Sequence, residues 1–237
     1  MELQVIAYAR NGFSQKFGIP RQSREDSCIE THIIFTPAYR VREALRGIEE
    51  YSHLWLLWGF NEVIRRKGEA ARGDEVEWTP TVRPPRLGGN KRMGVFATRS
   101  PFRPNPIGLT SVKLLRVEET QDEGLVLVVS GADLLDGTPI YDIKPYLSFS
   151  DSHSDARNGF AEATQNYRLE VHVDEELRED TLRKGCPWVA LEEILSQDPR
   201  PAYQDDPERV YHLDYAGWAV DFIVDGATVC VKKCARK

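Results

Sequence analysis

SVKLLRVEETQDEGLVLVVS, Ser111 to Ser130, holds two apolar runs around a polar turn. Ser111–Val117 and Leu125–Ser130 are rich in the branched residues that suit a pleated, half-buried surface. Gln121-Asp122-Glu123-Gly124 between them supplies turn chemistry. The stretch reads as a β-hairpin, and the sequence on both sides continues in the same style.

Upstream, Leu3–Ala7 and Thr31–Phe35 are short strand-like runs. HLWLLWGF, His53–Phe60, is continuously apolar and reads as a buried strand, with His53 and the Trp55–Trp58 run as core. Met93–Thr98 reads as a further strand. YRVREALRGIEEYS, Tyr39–Ser52, predicts a helix, because Val41, Leu45 and Ile48 recur at helical spacing. Asn61–Asn90 is charged and then rich in Gly and Pro, and reads as a long loop. Downstream, Asp133–Tyr146 predicts a turn at Asp136-Gly137 and then an extended segment. Strands and helices do not alternate regularly, and no G-x-G-x-x-G follows a strand, so a Rossmann fold has no support. Short strands with Gly/Pro turns and one helix predict a mainly β fold, a small barrel or sandwich.

Ser148–Asn166 is polar and reads as a linker. After it, Tyr167–Val173 alternates as a strand and Trp188–Gln197 is amphipathic, with Val189, Leu191, Ile194 and Leu195 on one side. Val210–Lys233 predicts two or three strands with turns at Ala216-Gly217 and Asp225-Gly226. The expected organisation is an N-terminal β domain, 1–155, followed by a small α+β domain, 156–237.

The 237 residues are 41% hydrophobic and 29% charged, with net charge −6. That is ordinary for a globular chain and against general nucleic-acid stickiness. No apolar run reaches the ~18 residues of a membrane helix. MELQVIAYAR lacks signal-peptide character, so a cytoplasmic protein without membrane association is expected. Cys28, Cys186, Cys230 and Cys234, with His32, His53, His153, His172 and His212, form no metal-ligand spacing, so free structural thiols and no metal are expected.

Against this acidic background stands GVFATRSPFRPNPIGLT, Gly94–Thr110. Pro101, Pro104 and Pro106 fix their own φ and push Ser100, Arg103 and Asn105 toward extended backbone. Such a stiff loop loses little entropy on ordering around a ligand. From Arg83 to Arg103 the chain carries Arg83, Arg86, Lys91, Arg92, Arg99 and Arg103 and no acid. A run of cations often marks only a solvated face. The interleaved Pro and Gly favour a shaped anion site.

Five segments in order carry a resemblance: FGIPRQS (Phe17–Ser23), GIEEYSHLWLLWGF (Gly47–Phe60), SPFRPNPIGLT (Ser100–Thr110), LDGTPIYDIKPY (Leu135–Tyr146) and QDPRPAY (Gln197–Tyr203). Together they resemble the tRNA methyltransferase O family, also called TsaA-like or YaeB-like. The first four span the N-terminal ~150 residues, and the last is typical of bacterial members with a C-terminal extension. The resemblance implies an S-adenosylmethionine-dependent enzyme built on a small antiparallel β-barrel. It also implies a homodimer that binds its cofactor near the dimer interface. The implied reaction is methylation of the exocyclic amine of threonylcarbamoyl-adenosine beside the anticodon, notably in threonine tRNAs. An apolar barrel face around Leu54–Trp58 is the candidate dimer surface.

On that reading Phe102, Arg103, Pro104, Asn105, Pro106, Ile107 and Leu109 wall the cofactor, and Gly108 lets the backbone approach. Asp136 would accept from the ribose or the cofactor ammonium, beside Thr138 and Ile140. The electron-poor carbamoylated amine asks for a base, with Asp142 as candidate and Lys144 and Tyr146 placing the substrate. The bland reading makes Asp136-Gly137 a turn and Asp142–Lys144 a surface ion pair. Arg21, Arg83, Arg86, Lys91, Arg92 and Arg99 are candidates for the tRNA side, since guanidinium forks suit phosphates and carboxylates. Asp198, Arg200 and Tyr203 would close over the base; alternatively Pro199 and Pro201 simply stop the preceding helix. Two rivals remain on sequence alone. A non-enzymatic S-adenosylmethionine or nucleotide sensor would bind without turnover, and a methyltransferase with another acceptor would ignore tRNA.

Overall fold

A computed structural model gives the structure of residues 2–20, 22–24, 26–60, 78–84, 91–164, 167–201, 204 and 206–237. The strands are β1 (Ala7–Arg10), β2 (Glu30–Phe35), β3 (His53–Gly59), β4 (Thr81–Val82), β5 (Met93–Gly94), β6 (Ile107–Thr120), β7 (Gly124–Ser130) and β8 (Pro139–Pro145). There follow the one-turn helix α1 (Ser148–Asp151), β9 (Glu170–His172), α2 (Glu175–Arg183), α3 (Trp188–Ser196), β10 (Tyr211–Tyr215), β11 (Trp218–Asp225) and β12 (Thr228–Arg236).

Six strands close into a barrel in the order β1-β2-β7-β6-β3-β8, each neighbour antiparallel. The hairpin β6–β7 turns where the sequence predicts. Closure removes free edges, and the interior fills with every second side chain. Along β3, Leu54, Leu56 and Trp58 point inward to join Ala7, Ile33, Val112, Leu127 and Ile140 in the barrel core. His53, Trp55 and Leu57 lie on the outer face, only half-buried. The apolar run His53–Phe60 is therefore two faces of one strand. The expected dimer surface Leu54–Trp58 reduces to Trp55 and Leu57, because the other three side chains are inside.

β3 and β6 pair with Trp58 opposite Gly108. A Cβ built on Gly108 falls 2.2 Å from the Trp58 indole, so only glycine leaves room for that ring. The indole N–H donates to Thr110 Oγ1 at 2.9 Å, and Thr110 in turn donates to the Asp133 carboxylate at 2.7 Å. The glycine expected to admit a cofactor is thus required by the barrel's own tryptophan.

The helix predicted over Tyr39–Ser52 is absent. In its place stand three short 3-10 turns, Pro37–Tyr39, Arg42–Leu45 and Ile48–Glu50. Val41 is extended, and Gly47 takes the left-handed conformation at φ 83°, which interrupts any continuous helix. Leu45 and Ile48 still pack on the barrel, so the apolar spacing is real but serves turns. The first strand is Ala7–Arg10 rather than Leu3–Ala7, and the strand expected at Met93–Thr98 shortens to β5 and a 3-10 turn, Val95–Ala97. The expected linker Ser148–Asn166 contains α1 and a 3-10 segment, Gly159–Thr164.

The C-terminal sheet runs β10-β11-β12-β9, with β9 parallel to β12. Helix α3 lays Trp188, Leu191, Ile194 and Leu195 against Leu213, Val220 and Phe222. Helix α2 has no counterpart in the sequence reading. Asp174 caps it by accepting from the Glu176 and Leu177 amides. Its core-facing stripe is thin, chiefly Leu177 and Thr181, and the Thr181 hydroxyl accepts from the Trp188 indole at 2.7 Å. Cys186 and Cys234 are buried with sulfurs 3.6 Å apart and not bonded, and burial pushes the Cys186 thiol up to about 12.

The two cores are tied together. The loop between β1 and β2 sends Phe13 and Ile29 into the C-terminal core, where Phe13 meets Tyr215 at 5.0 Å between ring centroids. Phe17 stacks beside Tyr211 and Phe222 at 6.5 and 6.4 Å. Among the described residues no helix is long and apolar enough to cross a membrane.

Replacing Gly108 by Ala is expected to destabilise the protein by about 1–3 kcal/mol, because the new methyl displaces Trp58 from a close-packed core. Urea unfolding followed by tryptophan fluorescence checks this; an unchanged midpoint refutes the packing assignment.

Candidate active site

The outer face of β8-β3-β6 gathers most of the predicted chemistry. Register places Asp142, Leu57 and Leu109 side by side across the three strands. The next row is Lys144, Trp55 and Ser111, and His53 pairs with Lys113 beyond it. Directly opposed residues share a face, so these side chains are neighbours on the barrel wall. Asp142 bridges Lys144 at 2.8 Å and accepts from the Ile143 amide at 2.9 Å. The carboxylate holds the Lys144 ammonium above its ordinary range, so the lysine is charged at neutral pH. Tyr146 packs against Trp55 and His53, with ring centroids 5.6 and 6.1 Å apart. The Trp55 indole and the Leu147 amide both donate to Asp151 Oδ2, at 2.8 and 3.0 Å, and these two bonds hold that carboxyl below its usual range. Asp151 thereby fixes the aromatic side of this face, a role that sequence reading missed.

The proline loop leads directly onto the same wall. Phe102 on the loop and Leu109 at the start of β6 are 52% and 54% exposed and leave apolar surface on this side of the wall. Arg103 turns inward, donating to the Thr98 and Ser100 carbonyls, so its guanidinium braces the loop. Backbone bonds from Thr79 to Phe102 and from Phe60 to Pro106 anchor it to the barrel. Asn105 and Pro104 are exposed, Pro106 and Ile107 half-buried. Exposed apolar side chains, a rigid backbone and a nearby carboxylate suit the adenine and the charged ends of S-adenosylmethionine.

Other predicted residues are placed differently. Thr138 is buried and donates to the Leu135 carbonyl, and Ile140 lies wholly in the barrel core. Both side chains, expected beside a cofactor, are packed within the fold. Asp136 accepts from the Asn11 amide at 3.0 Å and starts the Gly137 turn, as the bland reading has it. Asp198 and Arg200 form a bidentate pair at 2.8 and 3.0 Å, with side chains only 15% and 8% exposed. Asp198 also accepts from the Tyr167 hydroxyl. The two side chains, expected to close over a base, are largely buried and bound to each other. Arg83, Lys91 and Arg92 are exposed, Arg92 donating to Thr81. Arg21, Arg86 and Tyr203 lie outside the described residues.

Arg99 alone of the predicted residues lines a cleft of about 1180 Å³ between the barrel and the C-terminal part. Arg24, Lys113 and Arg168 line it too, together with Phe96. Arg99 donates to Gln22 at 2.8 Å. Arg24 grips Asp26 with two bonds of 2.8 and 2.7 Å and holds that carboxyl below its usual range. Partial burial and the neighbouring Arg24 charge lower the Arg168 guanidinium's affinity for its proton. Arg24, Lys113 and Arg168 escape sequence reading because they come from three distant segments that only folding brings to one opening. Among the described residues no cluster of His, Cys, Asp and Glu is arranged to hold a metal ion.

The chain is similar to known proteins along its length. Residues 8–152 fit the family described as tRNA-methyltransferase O N-terminal domain, and residues 166–237 the TrmO C-terminal domain. A tRNA (adenine(37)-N6)-methyltransferase of Escherichia coli K12 is 40% identical over 227 residues, 94% of this chain and 91% of the relative. A protein of the same description from Eikenella corrodens is 48% identical over 175 residues, 74% of this chain and 92% of its own. The crystal structure of TrmO from Pseudomonas aeruginosa superposes with a TM-score of 0.75 at 33% identity, covering 100% of this chain and 97% of that one.

Arg200→Ala is expected to cost about 3–5 kcal/mol of stability, since it strands the Asp198 carboxylate in a largely buried setting. A tRNA-contact role would instead leave the urea midpoint in place and weaken tRNA binding alone.

Proposed function

The chain belongs to the tRNA-methyltransferase O family and is an S-adenosylmethionine-dependent enzyme that methylates N6 of adenine 37 in tRNA, and we propose that its acceptor is that adenine when it carries a threonylcarbamoyl group. Threonine tRNAs are the expected substrates. The observation that carries this reading is the wall where Asp142, Leu57 and Leu109 meet in register, beside the braced proline loop.

S-adenosylmethionine, when bound, supplies an electrophilic methyl group on a sulfonium. Phe102, Leu109 and the loop backbone from Arg103 to Gly108 are the groups suited to hold it. The remaining work falls to positioning and to one proton. Holding the amine in line with the methyl can supply much of the rate. The carbamoyl group draws electrons from N6, which makes its proton easier to remove and its lone pair poorer. Asp142 is the base for that proton, taking it as N6 gains the methyl. Its bridge to Lys144 is solvent-exposed and costs little to exchange for a substrate contact. Lys144, once displaced, sits beside the acceptor as a free ammonium suited to the threonyl carboxylate. Tyr146, held by Trp55 and His53, offers an aromatic edge to the same place.

On this reading residues 1–155 form the catalytic domain and 156–237 an accessory domain. The working form is a cytoplasmic homodimer. Exposed Phe102, Leu109 and Phe149 provide apolar surface around the wall for a second copy to cover, and the free cysteines suit a reducing compartment.

Methyl-labelled S-adenosylmethionine incubated with threonine tRNA, with and without its threonylcarbamoyl group, tests the acceptor. Label is expected only on the carbamoylated tRNA, and equal labelling of both refutes the assignment. Asp142→Ala should then lower kcat by about 100-fold or more with little change in cofactor affinity.

A further inference from the structure

We propose that the cleft between the barrel and the C-terminal sheet seats the single-stranded anticodon loop, with Lys113, Arg99, Arg168 and Arg24 holding its phosphates and Phe96 stacking a base. The inference rests on the tRNA reading above and assigns the surface that reading leaves open.

Three observations carry it. First, the cleft concentrates positive charge on an acidic molecule. Asp26 is the single acid among the described residues lining it, against four cations. Asp26 is already gripped by Arg24, while the hydrogen bond that Arg99 makes among the described residues goes to the neutral Gln22 amide. Lys113 makes no ion pair among the described residues. On a chain of net charge −6, such a patch focuses an anion at one place.

Second, the cleft carries an aromatic platform. Phe96 is 71% exposed and lies stacked with Trp78, ring centroids 6.0 Å apart. The Arg103 guanidinium lies 6.0 Å from the Phe96 centroid. A ring held by Trp78 and Arg103, yet mostly open to water, offers exposed aromatic surface beside the cations. Cations that track a backbone beside an exposed ring are the signature of single-stranded nucleic-acid binding. The volume, about 1180 Å³, exceeds the roughly 300–1,000 Å³ of small-ligand sites and suits a polymer segment.

Third, the cleft opens onto the methyl-transfer wall. Lys113 pairs with His53 in the β3–β6 register, and Ser23 from the cleft rim donates to the Ser111 carbonyl at 2.6 Å. A strand lying in the cleft therefore delivers its next nucleotide toward Trp55, Lys144 and Asp142.

The test uses fluorescently labelled threonine tRNA, the full-length protein and a salt series. Lys113→Ala and Arg168→Ala should each weaken binding about fivefold or more and lower the salt slope by about one, as one lost phosphate contact predicts. Phe96→Ala should weaken binding about tenfold with the slope unchanged, and Phe96→Tyr should restore it. Lys233→Ala, on the far strand β12, is the control and should do nothing. Cofactor affinity by calorimetry should stay the same throughout. Wild-type tRNA affinity and slope in every cleft variant would overturn the assignment while leaving the enzyme's activity intact. A matching loss of cofactor affinity would overturn it too, by giving the cleft to the cofactor. A wild-type protein that neither binds nor methylates tRNA would remove the underlying reading and the seat together.

Discussion

The indole of Trp58 occupies the space that a side chain at position 108 would need, and the rest of the molecule is arranged around that fact. It fixes the register of β3 against β6. A slip of one residue would exchange inward for outward along the whole strand. With the register set, Leu54 and Leu56 fill the barrel while Trp55 and Leu57 face out. The same pairing decides where the proline loop enters the sheet. The chain thus positions a rigid, exposed loop by packing a core residue behind it, and the Thr110 and Asp133 bonds keep the ring from turning.

Charge is distributed as unevenly as apolar surface. The molecule is acidic overall, and burial raises the Asp133 carboxyl inside it. Arginines are sorted by the partner they meet. Arg103 and Arg200 are spent on carbonyls and a carboxylate within the fold. Arg24, Arg99 and Arg168 come from three separate segments to one opening. Charge density in the sequence therefore misleads about charge density in space. The run from Arg83 to Arg103 is the densest stretch on paper, yet only Arg99 of it reaches the cleft among the described residues.

Runs of strand-forming residues made β2 and β7 legible, turn residues the C-terminal strands, and the Leu191–Leu195 stripe α3. Tyr39–Ser52 was misread because Val41, Leu45 and Ile48 satisfy a helix equally well, and Gly47 decides against it only through its left-handed backbone. Helix α2 went unseen because two small contacts, Leu177 and Thr181, suffice to seat it. The wall of Asp142, Leu57 and Leu109 was half legible. Its segments stood out as motifs, but their adjacency depends on strand order. The cleft was not legible at all, since its lining comes from residues near 24, 99, 113, 160 and 168, and only folding brings these together.

The loop between β1 and β2 belongs to the barrel by connection and to the C-terminal core by burial. Phe13 and Ile29 have nowhere dry to go until Tyr215, Leu191 and their neighbours exist. A ribosome makes those partners roughly two hundred residues later. The emerging chain therefore carries an exposed aromatic loop through most of its synthesis, and the first strands stay incompletely anchored until the last have formed. Contacts this distant in sequence slow folding. They also make the two halves poor candidates for exchange or separation: cutting the chain near residue 155 would leave Phe13, Phe17 and Ile29 as a greasy scar on the barrel's end.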